Sequence, residues 1–379
     1  MPNKRWIIHR RPTRPVRVRA LDADTGQSYA AFDRTHAAAR PAIYHCVSRV
    51  VDKRFVFGDR EKDKFVEYMR MYESFAGIRV LAHCVMSNHF HLMLEITPFP
   101  DEGIPDDELL NRLSAIYDEA TVGAVEMELK AARCAIAEGR ADESRANEIR
   151  ERYLYRMHDL SEFMKSLVQR FTQWYNRCNG RKGNLWEDNF RSIIVEPGAA
   201  ARLVAAYIDL NPVRAGIVAD PAEYRWCSYG EAHSGKQHHT RSPSPVAQQA
   251  REGLVRAFFA HQGGGPDAGR WMDCHAIYRP WIEETMARIR ALRSGNATRK
   301  HDPGGGASPG QALAGRIRHF TDGVAVGGSG FVNDLFHENR RRFGPKRTTG
   351  ARPIRGNASA VARSQGICTL RDLQKNIGE

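Results

Sequence analysis

The order of periodic segments between residues 42 and 212 limits the possible folds of this chain more than any other feature. Four segments rich in β-forming residues predict strands: 42–50, 78–86, 89–96 and 189–197. Three segments with apolar residues at helical spacing predict helices: 59–77, 160–177 and 198–212. The order β-α-β-β-α-β-α predicts an α+β fold with a ferredoxin-like split βαβ core, in which an antiparallel sheet carries helices on one face.

Composition divides the chain into four regions. Residues 1–40, with nine Lys/Arg against three Asp and three prolines, predict a basic flexible arm. Residues 41–230 form the α+β domain, interrupted at about 100–158 by an acidic helical insertion with fourteen Asp/Glu against eight Lys/Arg. Residues 231–310 are predicted to be a Ser/Pro/Gly-rich linker with one helical piece, and residues 311–379 a basic C-terminal region.

The charge balance predicts a polyanionic partner. The 379 residues carry a net charge of +13, which makes nucleic acid the first candidate. No run of 18 apolar residues occurs, so no membrane partner is expected. No G-x-x-x-x-G-K-[ST] motif occurs, which argues against a nucleotide cofactor. Seven cysteines without a C-x-x-C pair are typical of a reducing cytoplasm.

Two histidines lie one residue apart in the third predicted strand, "HFHLMLEI". Side chains alternate between the faces of a strand, so His89 and His91 share one face while Phe90 points to the other. If the apolar face packs on the helices, both imidazoles project from the open sheet face and could bind a divalent metal. The alternative is a pair of half-exposed surface histidines.

The segment "AAYIDLNPVRAG" (residues 205–216) offers a possible partner for this pair. Tyr207 and Asn211 are four residues apart and share a helix face. A tyrosine phenol can act as a nucleophile, and a metal completed by the Asn211 carbonyl oxygen could polarise a phosphate. Alternatively, Tyr207 is an ordinary helix tyrosine and Asn211 ends a helix before Pro212.

Four motifs together resemble those of a known family. "YHCVSRV", "VMSNHFHLML", "FMKSLVQRFTQWYN" and "YIDLNPVRAG" occur in the order found in single-tyrosine HUH transposases, especially the REP-associated tyrosine transposases. The resemblance covers about residues 42–229. The acidic insertion and the long C-terminal region depart from the compact family pattern.

The resemblance implies a site and a reaction. His89 and His91 match the HUH pair that holds Mg²⁺ or Mn²⁺, Tyr207 matches the nucleophile, and Asn211 matches the polar position that helps the metal. Ligand chemistry alone would favour softer ions such as Mn²⁺ or Zn²⁺. In the family, the tyrosine attacks a phosphate of single-stranded DNA and leaves a 5′-phosphotyrosine link and a free 3′-OH. The family also implies a cytoplasmic, nucleoid-associated protein of bacterial type.

The expected partner is therefore single-stranded DNA, a DNA hairpin or an inverted repeat, and a homodimer is left open. Five basic residues near the C-terminus could contact DNA: Arg340, Arg341, Arg342, Lys346 and Arg347. The alternative is a solvated basic helix end. The leading hypothesis is a metal-dependent DNA-nicking and strand-transfer enzyme. The alternatives are a non-catalytic, transposase-derived DNA-binding protein and a metal-dependent nuclease that uses water.

Overall fold

A computed structural model describes residues 16–21, 28–33, 41–234, 244–259, 270–295, 308–355 and 359–371. The strands are β1 Val16–Leu21, β2 Ser28–Asp33, β3 Ala42–Arg49, β4 Ile78–Val85, β5 His89–Ile96, β6 Arg191–Val195, β7 Ala325–Gly328, β8 Arg352–Pro353 and β9 Ile367–Leu370. No described helix is long and apolar enough to cross a membrane.

The helices follow the chain in three groups. The first group is α1 Asp59–Ala76, α2 Asp106–Ser114, α3 Glu119–Ala137, α4 Glu143–Leu154 and α5 Leu160–Cys178. The second group is α6 Ala199–Asp209, α7 Asn211–Ala215, α8 Ser228–His233, α9 Pro245–Phe259 and α10 Trp271–Arg293. The third group is α11 Pro309–Leu313, α12 Ser329–Glu338 and α13 Ser359–Ser364.

The core elements agree with the predicted α+β order. Helix α1 ends at Gly77, whose φ of 64° lies in the left-handed region that glycine adopts without strain. Strands β4 and β5 pair antiparallel after the turn at Ser87 and Asn88. Asn211 was predicted to end a helix before Pro212. Instead, α6 ends at Asp209 and a second short helix, α7, begins at Asn211.

One seven-stranded sheet organises the molecule, in the order β4-β5-β3-β6-β7-β9-β8. Its first four strands pair antiparallel, with β3 between β5 and β6. The chain therefore crosses from β3 through α1 to β4 and returns in β5 beside β3. The predicted antiparallel sheet is correct for these strands but not for the whole sheet, because β6 and β7 pair in parallel.

The prediction of helices on one face is wrong. One face packs on α1 and α5 through side chains such as Phe90, Leu92 and Leu94 of β5. The opposite face is also covered: Met93 of β5 and Ile193 of β6 belong to a second core with α6, α9 and α10. Both faces are covered because both carry apolar side chains, so the histidines do not project from an open sheet.

The flanking regions contain more regular structure than expected. Strands β1 and β2, within the predicted flexible arm, form an antiparallel pair. Helices α9 and α10 lie within the predicted linker, and the Gly-rich segment 323–330 contains β7. The insertion at 100–158 is helical, as predicted, in α2, α3 and α4.

Candidate active site

A cleft of about 560 Å³ brings the predicted catalytic residues together. His89 and His91 reach it from β5, Tyr207 from α6 and Asn211 from α7. It is completed by Val47, Ser48, Arg49, Met86, Glu187, Asp188, Asn189, Arg191, Arg214, Ala215, Ala314, Arg316, Thr321 and Asp322. Residues more than a hundred positions apart along the chain thus face one cavity, which the sheet and α6 form together.

His91 is held by a chain of hydrogen bonds that ends on a backbone carbonyl. Nδ1 of His45 lies 2.6 Å from the carbonyl oxygen of Phe320, and Nε2 of His45 lies 2.9 Å from Nδ1 of His91. A carbonyl oxygen only accepts, so His45 carries its proton on Nδ1 and, when neutral, accepts at Nε2 from His91. Nε2 of His91 is therefore left with a lone pair, the state that binds a metal.

The same reasoning settles the tautomer of His89. The Asn88 side-chain amide donates from Nδ2 to the carbonyl oxygen of Lys53 at 2.9 Å, which turns Oδ1 of Asn88 toward His89. Nδ1 of His89 lies 2.7 Å from that oxygen and must donate to it. Nε2 of His89 is then also unprotonated.

Burial keeps these imidazoles neutral. Desolvation lowers the pKa of His45 to about 4, and desolvation together with Arg49 and Arg316 lowers the pKa of His89 to about 4. Desolvation also lowers the pKa of His91 well below its usual value. A metal ligand must be deprotonated, so both histidines of β5 are ready to bind a cation without first losing a proton.

The donor set fits a divalent cation through two neutral imidazoles. Within the described ranges, no group of three or more His, Cys, Asp or Glu side chains could hold a metal. Further ligands would have to be amide or phenol oxygens of the cleft, water, or oxygens of a bound substrate.

Tyr207 lies at the floor of the cleft and is only 2% exposed. Its ring packs edge-on against His91 and Phe320, with centroid distances of 6.2 and 5.4 Å. The guanidinium of Arg214 lies 4.1 Å from the centre of the Tyr207 ring. A cation in this position is attracted to the face of the aromatic ring and helps to hold the ring in place.

Asn211 is oriented by its neighbours on α6 and α7. Its Nδ2 donates to the carbonyl oxygens of Tyr207 and Ile208 at 3.3 and 3.1 Å. Its Oδ1 accepts from Arg214 at 2.8 Å, and Arg214 also donates to the carbonyl oxygen of Tyr207 at 2.6 Å. The Asn211 oxygen retains a second lone pair, while Arg214 fixes the side chain beside Tyr207.

The charge around the cleft favours an anion only modestly. Four arginines line it, but so do three acids, Glu187, Asp188 and Asp322, and Arg191 pairs with Asp322 at 3.2 Å. Arg49 and Arg316 remain beside His89, where both lower its pKa. These two arginines are the cations best placed to meet a phosphate near the imidazoles.

The five basic residues near the C-terminus do not line this cleft. Arg340 and Arg347 stack on Phe336 and donate to backbone carbonyl oxygens, including those of Phe343 and Gly350. Arg341 and Lys346 are exposed, while Arg342 is partly buried. Contact of this cluster with DNA remains a prediction.

Sequence reasoning missed three residues of the site. The sequence did carry a signal for His45. Side chains alternate along β3, so His45 shares a strand face with Val47, which pairs with His91 and lines the cleft. Arg214 belongs to the "NPVRAG" motif but was given no role. Phe320 had no local signal, because it enters from the C-terminal region more than a hundred residues after Tyr207.

Part of the chain matches a known family. Residues 39–101, which include His45, Asn88 and both histidines of β5, match the family model described as "Transposase IS200 like". Over this segment, the match agrees with the resemblance expected from the sequence. Tyr207 and Asn211 lie outside the matched residues. No curated protein matches the chain.

A solved structure of a REP-associated tyrosine transposase bound to a REP hairpin is also similar to the chain. It is 12% identical, and the match covers 55% of this chain and 85% of that chain with a TM-score of 0.32. A similarity this low adds no argument about function.

Proposed function

We propose that this protein nicks single-stranded or hairpin DNA and transfers the cut strand through a 5′-phosphotyrosine intermediate. The observation that supports this most is the convergence of Tyr207 with His89 and His91 on one cleft. The match to IS200-like transposases at residues 39–101 supports DNA as the partner. We place this activity at the bacterial nucleoid.

In this reaction, the phenol oxygen of Tyr207 attacks phosphorus and loses its proton. The bond from phosphorus to the 3′ oxygen breaks, and that oxygen leaves as a 3′-OH after taking up a proton. The guanidinium of Arg214, 4.1 Å from the ring centre, lies close enough to offset negative charge that develops as the phosphate is attacked. Arg49 and Arg316 attract the phosphate to the histidine side of the cleft.

A divalent cation, Mg²⁺ or Mn²⁺, would be held by His89 and His91 with the Asn211 oxygen, and would neutralise charge on the phosphate. The protein's own contribution is to present two unprotonated Nε2 atoms. His45 and Asn88 fix both tautomers from behind. The phosphotyrosine bond retains the energy of the cleaved phosphodiester, so rejoining by a 3′-OH requires no nucleotide.

The test is formation of a covalent protein–DNA adduct. Labelled single-stranded DNA with a hairpin is incubated with Mg²⁺ or Mn²⁺ and the products are separated on a denaturing gel. We expect an adduct with the wild-type protein, none with Tyr207→Phe, and retention of the adduct with Tyr175→Phe. Tyr175 is the matched control because it is a partly buried helix tyrosine outside the cleft.

Three other outcomes would contradict the proposal. Cleavage without an adduct would indicate a nuclease that uses water. Retarded DNA with neither cleavage nor adduct would indicate a DNA-binding protein derived from a transposase. An adduct that persists in Tyr207→Phe would assign the nucleophile to another tyrosine.

A further inference from the structure

The loop between β3 and α1, which is hydrogen-bonded to the turn that precedes His89, presents an aromatic side chain to solvent. Phe55 is 83% exposed, more than any other large hydrophobic residue in the part of the chain that the structure describes. Two positions later, Phe57 is 3% exposed and stacks on Phe171 with a centroid distance of 5.0 Å. One ring therefore anchors the loop in the core while the other is held outward.

This loop has a strained backbone. Asp52 and Lys53 have φ values of 55° and 56°, in the left-handed region that residues with side chains rarely adopt. Two consecutive residues of this kind persist only where the surroundings impose the conformation. The strained pair lies directly before Arg54 and Phe55.

The imposed conformation comes from the turn that carries His89. Val50 donates its N–H to the Asn88 carbonyl oxygen at 2.9 Å, and Phe57 donates to the Ser87 carbonyl oxygen at 3.0 Å. The Asn88 side chain donates to the Lys53 carbonyl oxygen and accepts from His89. A single amide thus links the loop to the imidazole, and its contact in the loop, Lys53, lies two residues before Phe55.

Two cations directly precede Phe55 in the chain. Lys53 and Arg54 are both exposed, and neither forms an ion pair with another described residue. Asp52 is exposed beside them and offsets part of this charge. An exposed aromatic ring next to cations is the combination that binds unpaired bases, since the ring stacks on the base while the cations meet the neighbouring phosphates. Bases inside a duplex are already stacked and cannot use it.

We propose that Phe55 stacks on an unpaired base of the DNA strand whose phosphate enters the cleft, with Lys53 and Arg54 on the adjoining phosphates. The inference rests on the proposed function, because that function places a DNA phosphate at His89 and His91. It adds a determinant that selects single-stranded over duplex DNA at this rim.

Binding is measured by fluorescence anisotropy of labelled oligonucleotides with the full-length protein in the Tyr207→Phe background, so that cleavage does not interfere. We expect Phe55→Ala to weaken binding of single-stranded DNA by roughly 5- to 100-fold, the range of one lost base stack. Phe55→Trp should retain affinity, and binding of a blunt duplex should be unchanged by either substitution. Met127→Ala is the matched control, since Met127 is 68% exposed on α3, outside the cleft.

The assay separates this inference from the proposed function. If Phe55→Ala binds single-stranded DNA like the parent, the rim contact is wrong, while adduct formation by the wild-type protein still tests Tyr207 independently. If Phe55→Ala weakens duplex binding equally, the ring does not select unpaired bases and the inference fails. It also fails if Phe55→Ala changes only self-association in sedimentation velocity, because the ring would then contact a second copy.

Discussion

The two faces of β5 show how one strand serves both stability and chemistry. On one face, Phe90 is fully buried and lies 4.5 Å from the ring of Phe65 and 5.4 Å from that of Trp186. On the other face, His91 is also buried, at 3% exposure, but its ring stacks on that of His45, to which it is hydrogen-bonded. The strand backbone is shared, so the two faces differ only in what their side chains contact.

The difference lies in what burial does on each face. Around Phe90 it stabilises the fold by removing apolar surface from water. Around His91 it costs desolvation, which hydrogen bonds offset, and it leaves a neutral imidazole with a free lone pair. The packed face therefore positions the polar face, and substitutions on the two sides should affect different measurements.

The largest expected effect separates stability from metal binding. Phe90→Ala should lower the free energy of unfolding by about 3–5 kcal/mol, since the cavity lies in a closed aromatic cluster. His89→Ala, at a half-buried rim position, should change that free energy by less than about 1 kcal/mol and instead weaken Mn²⁺ binding by more than about 100-fold. Urea unfolding and titration calorimetry measure the two quantities. Equal losses of stability in both variants would contradict the assignment of stability to one face of β5 and of metal binding to the other.

The second effect is a pH dependence that arises from the polar face. Burial lowers the pKa of His45 to about 4, while in the unfolded chain it is near 6.5. Between these values only the unfolded chain binds the proton, so the free energy of unfolding falls as the pH falls from about 6.5 to about 4. The loss is on the order of 3 kcal/mol.

His45→Gln isolates this contribution. Its amide can accept from His91 and donate to the Phe320 carbonyl oxygen, but it does not titrate. Urea unfolding of both proteins in chelator, from pH 4 to 7.5, should show the wild type losing stability relative to the variant toward acid. If the free energies of unfolding of the two proteins change in parallel with pH, His45 does not contribute to the pH dependence.

A smaller effect concerns the metal. His45→Leu removes the acceptor that keeps the proton on Nδ1 of His91, so we expect about 10- to 100-fold weaker Mn²⁺ binding. His45→Gln should retain most of the affinity, because it preserves both hydrogen bonds. The tautomer of His91, observed by ¹⁵N NMR of the metal-free protein, should change in His45→Leu alone. Equal Mn²⁺ affinities in His45→Leu and His45→Gln would exclude a role of His45 in positioning His91.

Local pattern was sufficient to predict much of the fold and to single out four residues that the structure brings to one cleft. Alternation along "HFHLMLEI" separates Phe90 from the histidines, and helical spacing in residues 160–177 predicts α5. Alternation does not reveal what covers each face. The apolar character of α6 on all sides was a signal that this helix is buried between the sheet and other elements.

The remaining parts depend on long-range pairing. Strand β7 is four residues long and Gly-rich, and it becomes a strand by pairing in parallel with β6. That pairing accompanies the entry of Phe320 beside Tyr207 and His45. No local spacing encodes such a contact, so the contribution of the C-terminal region to the site was not predictable from residues 311–379 alone.

The smallest expected effect concerns the basic residues that lie away from both faces of β5. Arg341 and Lys346 are exposed, so the double substitution to Ala should change the free energy of unfolding by less than about 0.5 kcal/mol. If they contact phosphates, log K for single-stranded DNA should depend less steeply on log salt, with the slope reduced by about 1–2. Arg347→Ala is the contrasting variant, because its guanidinium holds the Gly350 carbonyl oxygen and should affect stability more than the slope. An unchanged slope in the double variant would assign this cluster to a solvated helix end and leave DNA recognition to the cleft and its rim.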